Sequence, residues 1–128
     1  MATIRDTQQR QAIRRGFEDA GRPLSPQEAL EAAQVHAPSL GIATVYRAIK
    51  AMVDEARLEP VEVPGEPTRY ELAGLSHHHH FRCRTCDRVF DVPGCGISTV
   101  HSPALRGFKI DSHELWLFGQ CDQCVGKA

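Results

Sequence analysis

The chain has 128 residues, 41% hydrophobic and 24% charged, which suits one domain or two small units and excludes a large multidomain enzyme. Its formal charge is −1, so no overall charge draws it to nucleic acid, and no apolar run approaches the ~18 residues of a membrane helix. No apolar stretch follows the first basic residue, so a cytoplasmic, reducing setting is expected, where five cysteines are metal ligands or thiols rather than a disulfide framework.

Local charge differs from the total. Residues 1–15 carry Arg5, Arg10, Arg14 and Arg15 against Asp6, a patch that suits phosphates or is a solvated helix face. Thr7 is a candidate helix cap, and Ser25-Pro26-Gln27-Glu28 matches a capping box with proline in the first turn. The helix after Ser25 sets Ala29, Leu30, Ala33 and Val35 on one face and is expected to end at Pro38. A third helix, from about residue 43 to 55, turns Val45, Ile49 and Met52 inward and Tyr46, Arg47 and Lys50 elsewhere. Tyr46 could be a core aromatic, but its place beside inward-facing Val45 favours exposure.

After Leu58 the apolar period becomes two. Val61 and Val63, a turn at Pro64-Gly65-Glu66-Pro67, then Thr68, Tyr70 and Leu72 read as a β-hairpin, and helices followed by such a hairpin make a winged helix. Small residues at 73–76 mark a linker, giving domains 1–73 and 74–128 and an α+β fold class. In the second domain Phe81, Val89, Phe90 and Val92 suggest two strands, residues 97–106 a short helix interrupted by Pro103, and Phe108 to Phe118 a further strand or pair.

Cys83-x-x-Cys86 and Cys121-x-x-Cys124 are two thiolate pairs with the gap that lets both sulfurs reach one tetrahedral zinc at ~2.3 Å. A redox dithiol would need one pair only. His77-His78-His79-His80 lies inside the chain; on a strand, His77 and His79 face one way and His78 and His80 the other, two imidazoles per face. A hydrogen-bonded surface cluster is the rival reading. Further donors for the first face are His113 and Cys95, and for the second Glu71 and Asp91, a few residues outside the two strands. Cys95 could instead be a small buried apolar residue. A metalloenzyme is disfavoured because no carboxylate or histidine is left over as a general base.

The segment Gly41-Ile-Ala-Thr-Val-Tyr-Arg-Ala-Ile, then Tyr70-Glu71-Leu72, the histidine run, Cys83-Arg-Thr-Cys86, and His113 leading to Gly119-Gln-Cys121-Asp-Gln-Cys124 resemble, in order, the ferric uptake regulator family of bacterial metal-responsive repressors. The resemblance implies a winged-helix DNA-binding domain followed by a small α/β dimerisation domain with a four-cysteine zinc site, forming a homodimer on double-stranded DNA at an AT-rich inverted repeat. It implies that Tyr46 and Arg47 contact bases or adjacent phosphates, Thr44 and Arg10 the backbone, and Arg5 the minor groove.

It also implies three metal sites: structural zinc on Cys83, Cys86, Cys121 and Cys124, a hinge-side regulatory site on Glu71, His78, His80 and Asp91, and a dimer-domain regulatory site on His77, His79 and His113. Two departures stand out. The histidine the family brings from the DNA-binding domain falls at Pro23, which cannot ligate, and the glutamate of the dimer-domain site falls near residues 96–98 and is missing. Cys95 is the nearest replacement, with His101 a weaker candidate. A thiolate in place of a carboxylate softens the site, so the sensed metal is expected to be zinc rather than iron or manganese, as in a zinc-uptake-regulator-like member.

Overall fold

The structure, a computed structural model, describes residues 4–95 and 102–126, with side chains from Thr7 onward. The chain forms two compact units, residues 1–75 and 76–128.

The first unit opens with α1 (Ile4–Ala20), which begins before Thr7, so Thr7 is not its cap. The helix ends at Gly21, whose positive φ of 61° lets its N–H return to the Phe17 carbonyl at 3.1 Å. Helix α2 (Pro26–Gln34) starts at the expected capping box: the Ser25 hydroxyl accepts from the Glu28 N–H and the Glu28 carboxylate accepts from the Ser25 N–H. It stops four residues before Pro38, and Val35, its C-cap, is 77% exposed instead of joining the apolar face. α1 and α2 approach closely at Gly16, where a Cβ would meet the Ala33 nitrogen at 3.0 Å.

Helix α3 (Ile42–Asp54) buries Val45, Ile49 and Met52, which join Ile13, Phe17, Leu24, Leu30 and Leu58 in one core. Strands β1 (Leu58–Val61) and β2 (Arg69–Leu72) pair antiparallel as the wing, with Leu58 opposite Leu72. Leu24 adds a bridge absent from the sequence reading, exchanging backbone hydrogen bonds of 2.8 and 2.9 Å with Tyr70. The α2 start is tied to the wing by charge: Glu28 pairs with Arg22 and with buried Arg69. Burial alone would raise the Glu28 pKa, but the Ser25 N–H, Arg69 and Arg22 together hold it below its ordinary value.

The second unit is a three-stranded sheet in the order β4-β3-β5, from β3 (His78–Cys83), β4 (Val89–Pro93) and β5 (Trp116–Gly119). β3 is central, antiparallel to β4 and parallel to β5. The expected strand or pair from Phe108 to Phe118 is shorter: among the described residues no ladder forms over 108–114, and Phe108 and Ile110 alternate but stay exposed. Of the expected 97–106 helix, the described part is a 3₁₀ turn, Pro103–Leu105, capped by Ser102; residues 96–101, including His101, lie outside the described residues. Among the described residues, the buried apolar side chains of this unit are Val89 and two cysteines, Cys83 and Cys121.

Candidate metal centres and DNA-contact residues

The alternation of β3 carries the histidines. Buried His79 and exposed His77 meet His113 and Cys95 on one side: His77 Nε2 lies 3.2 Å from His79 Nε2 and 3.3 Å from His113 Nε2. His79 and His113 Nε2 are 3.2 Å apart, and each is 3.2 Å from the Cys95 sulfur. Tetrahedral donors at metal–nitrogen bonds of ~2.0–2.1 Å lie about 3.3–3.4 Å from one another. Three mutually adjacent ring nitrogens cannot satisfy each other, since each presents either a proton or a lone pair and two of the three must be alike. One cation accepts all three lone pairs and the thiolate, so this donor set fits a zinc-like ion. Cys95 is exposed, in a turn where Gly94 takes a positive φ of 76°, which disfavours its reading as a buried apolar residue. Burial first, and then the neighbouring His77 and His113, hold the His79 pKa below its ordinary value, so its lone pair is available.

His78 and His80 lie on the other face. Both Nε2 atoms are 3.4 Å from the same Asp91 oxygen, and Asp91 sits within β4 directly opposite His80, not outside the strands as expected. His78 Nδ1 lies 2.7 Å from the Ser76 carbonyl, which can only accept, so this nitrogen holds the proton and Nε2 is left as a donor to a metal. Glu71, the remaining residue of that expected set, belongs to β2 in the first unit. Pro23, at the position of the family histidine, is fully buried.

The four other cysteines gather where β3 ends and the chain after β5 turns. All four sulfurs lie within 4.8 Å of one another, with Cys86 and Cys121 at 3.9 Å. The N–H groups of Cys86 and Cys121 each point at the Cys83 sulfur from 3.4 Å. Burial would raise the Cys83 pKa, but these donors and that of Thr85 outweigh it and bring it to about 6. The Cys124 thiol is pushed up to about 12 by its hydrogen bond to Cys121, by burial and by the other thiols. A set that readily forms one thiolate yet resists a fourth lacks positive charge, and a divalent cation supplies it.

In the first unit Tyr46 is 57% exposed and Arg47 exposed on α3, with Arg47 Nη2 donating to Thr44 Oγ1 at 3.4 Å. With Lys50 they line a groove of about 520 Å³ between α3 and the wing residues Pro60, Glu62, Thr68 and Tyr70. Arg10, expected to contact the DNA backbone, pairs with Glu55, whose two oxygens accept from it at 2.8 and 3.0 Å. Residues 45 apart in sequence give no local sign of that pair. Arg5 belongs to α1, and its side chain lies outside the described residues.

The model of the ferric uptake regulator family matches residues 1–118. The ferric uptake regulation protein of Bacillus subtilis is 30% identical over 127 residues, covering 94% of this chain and 85% of the relative. That of Campylobacter jejuni is 28% identical over 88 residues, and the match spans 67% of this chain but only 56% of that relative. A solved structure described as a zinc-bound manganese uptake regulator superposes with a TM-score of 0.73 over 94% of this chain and 91% of its own, at 23% identity, and shows the same fold.

Proposed function

The chain belongs to the ferric uptake regulator family, and from that premise we propose that it is a metal-dependent DNA-binding repressor that controls metal homeostasis by sensing zinc. The observation that carries the zinc reading is the convergence of three imidazole nitrogens and the Cys95 sulfur at 3.2–3.3 Å in the second unit. Zinc accepts nitrogen and sulfur in a tetrahedral shell, whereas manganese favours oxygen. Cys83, Cys86, Cys121 and Cys124 would hold a second, structural zinc, which closes a unit that buries few apolar side chains among the described residues. His78, His80 and Asp91 would form a further regulatory centre.

Tyr46, Arg47 and Thr44 on α3 are the proposed readers of DNA, an AT-rich inverted repeat matching the two-fold symmetry of a homodimer. Exposed Leu117 and Phe118 on β5 support burial of that strand against a second copy. Arg10 reaches phosphate only by leaving Glu55, so its contact forms at the cost of an ion pair. The regulatory step is a shift in population: loaded protein spends more of its time in the operator-competent state, and operator in turn tightens metal binding by the same factor. Iron or manganese sensing is the second reading, favoured by the His78, His80 and Asp91 set with its carboxylate.

The test is to purify the untagged protein, count metals per chain, and titrate zinc, manganese and ferrous ions while measuring binding to an AT-rich inverted repeat at fixed salt. One zinc that resists mild chelation, with a further exchangeable zinc that switches DNA binding on, is the expected result. DNA binding indifferent to added metal and chelator alike leaves only structural zinc and ends the sensing proposal.

A further inference from the structure

We propose that Trp116, the chain's sole tryptophan, is a positioning residue that aims His80 into the centre it shares with His78 and Asp91; the inference rests on the reading that this face holds a metal. The sheet order β4-β3-β5 sets Asp91, His80 and Trp116 side by side across three strands, with His80 opposite Asp91 on one flank and opposite Trp116 on the other. The indole and imidazole are stacked, with centroids 5.0 Å apart and planes at 28°. The neighbouring His78 ring meets His80 edge-on at 4.8 Å and 78°.

An imidazole turns about its second torsion in a broad, two-fold well, so nothing in the strand itself decides which ring edge meets Asp91. A flat partner on one side removes that freedom and leaves Nε2 facing the carboxylate, 3.4 Å away. Indole is a donor only and cannot ligate, so Trp116 acts through His80. Its own plane is fixed in turn by Phe118, stacked at 6.2 Å and 24°, over which the Arg84 guanidinium lies at 5.0 Å. The stack thus runs from the surface of β5 to the His80 ring, on the stretch of chain that leads from His113 to Cys121.

Partners that orient a metal ligand are worth 10- to 100-fold in affinity when they hydrogen-bond, and a stack sits at the lower end of that range. The experiment titrates Co²⁺ into full-length protein that retains its chelation-resistant zinc. In the wild type, quenching of Trp116 fluorescence marks the equivalent bound beside His80, and a thiolate-to-cobalt charge-transfer band marks the one bound at Cys95. In the variants, which lack that fluorophore, the His80 equivalent is the cobalt bound without a thiolate band, and Trp116→Leu is expected to weaken it about tenfold by chelator competition. Trp116→Phe, which keeps a stacking face, is expected to stay within about threefold, and in both variants the Cys95 band and the resistant zinc are unchanged. Unaltered affinity in Trp116→Leu overturns the proposal, as does equal loss of every centre, which would make Trp116 a general packing residue, or a phenylalanine variant as weak as the leucine one. A wild type that shows the Cys95 band but no quenching sinks the metal reading of this face itself, and the positioning role with it.

Discussion

Cys95→Ser changes one atom of the His77, His79 and His113 cluster and little else, because Cys95 is exposed and contributes nothing to a core. A structural zinc bound by four donors is worth ~10–16 kcal/mol, or about 2.5–4 kcal/mol per donor, so loss of the thiolate lowers zinc affinity here by about 10²–10³-fold. Serine keeps the size and turn conformation but offers a neutral hydroxyl. Because the lost ligand is the soft one, zinc suffers more than manganese, and the zinc-to-manganese preference narrows together with the affinity. With the exchangeable metal removed, folding should be unaffected, within about 0.5 kcal/mol by urea unfolding, as for other exposed substitutions. The assay is competition with a chromophoric chelator for each metal, on protein that keeps its resistant zinc, alongside operator binding at fixed salt. A serine variant that binds zinc within about threefold of the wild type, or that loses zinc and manganese equally, refutes ligation by Cys95.

Five further outcomes are expected. Metal-dependent operator binding should be steady above about pH 7 and fall towards pH 5.5, because histidine ligands bind only when deprotonated. His79 follows the same sign in metal-free protein: its folded pKa lies below the ordinary 6.5, so the unfolded chain takes up the proton first and stability is lost as pH falls below that value, which denaturant titration at several pH values checks. Ile13→Ala empties a fully buried position between the helices and should cost about 2–5 kcal/mol in urea unfolding of the first unit, leaving metal stoichiometry intact. Arg47→Ala should weaken operator binding about tenfold or more without changing metal uptake, measured by fluorescence anisotropy. Removal of the four-cysteine zinc with a strong chelator should expose residues 76–128 to limited proteolysis while residues 1–75 stay resistant.

The elements most legible in the sequence were those whose cause is local. The Ser25 box, the inward triad Val45, Ile49 and Met52, and the alternation of His77 to His80 follow from neighbouring residues alone, and the structure carries each of them. Val35 reads as apolar-face by spacing, yet α2 ends at Gln34, and past a helix end the 3.6-residue period no longer governs where a side chain points. Phe108 and Ile110 alternate as a strand does, but alternation needs a partner ladder to become one, and among the described residues none forms over 108–114. Contacts between residues far apart were invisible: Arg10 with Glu55, Arg69 with Glu28, and the Leu24 bridge to Tyr70 leave no mark in any local window. The stacking of Trp116 on His80 belongs to the same class, since it depends on β5 entering the sheet parallel to β3 at one particular register.

That register has an energetic consequence for all three proposed centres. β3 carries His79, His78, His80 and Cys83, and the segment through β5 carries His113, Trp116 and Cys121, so the same two strands would supply ligands or their supports to every proposed centre. The first unit is held by twelve interlocked buried side chains among the described residues and would keep its fold whether or not metal is bound. In the second unit few apolar side chains are buried among the described residues, so the free energy of ordering β3 against β5 would be shared among the proposed centres that require it. Effects of ligand substitutions there cannot be summed as if the sites were independent. A Cys83 variant will weaken the histidine centres through the loosened strand without touching a single imidazole, and only a double-mutant cycle pairing it with His113→Ala separates the lost ligand from the lost scaffold.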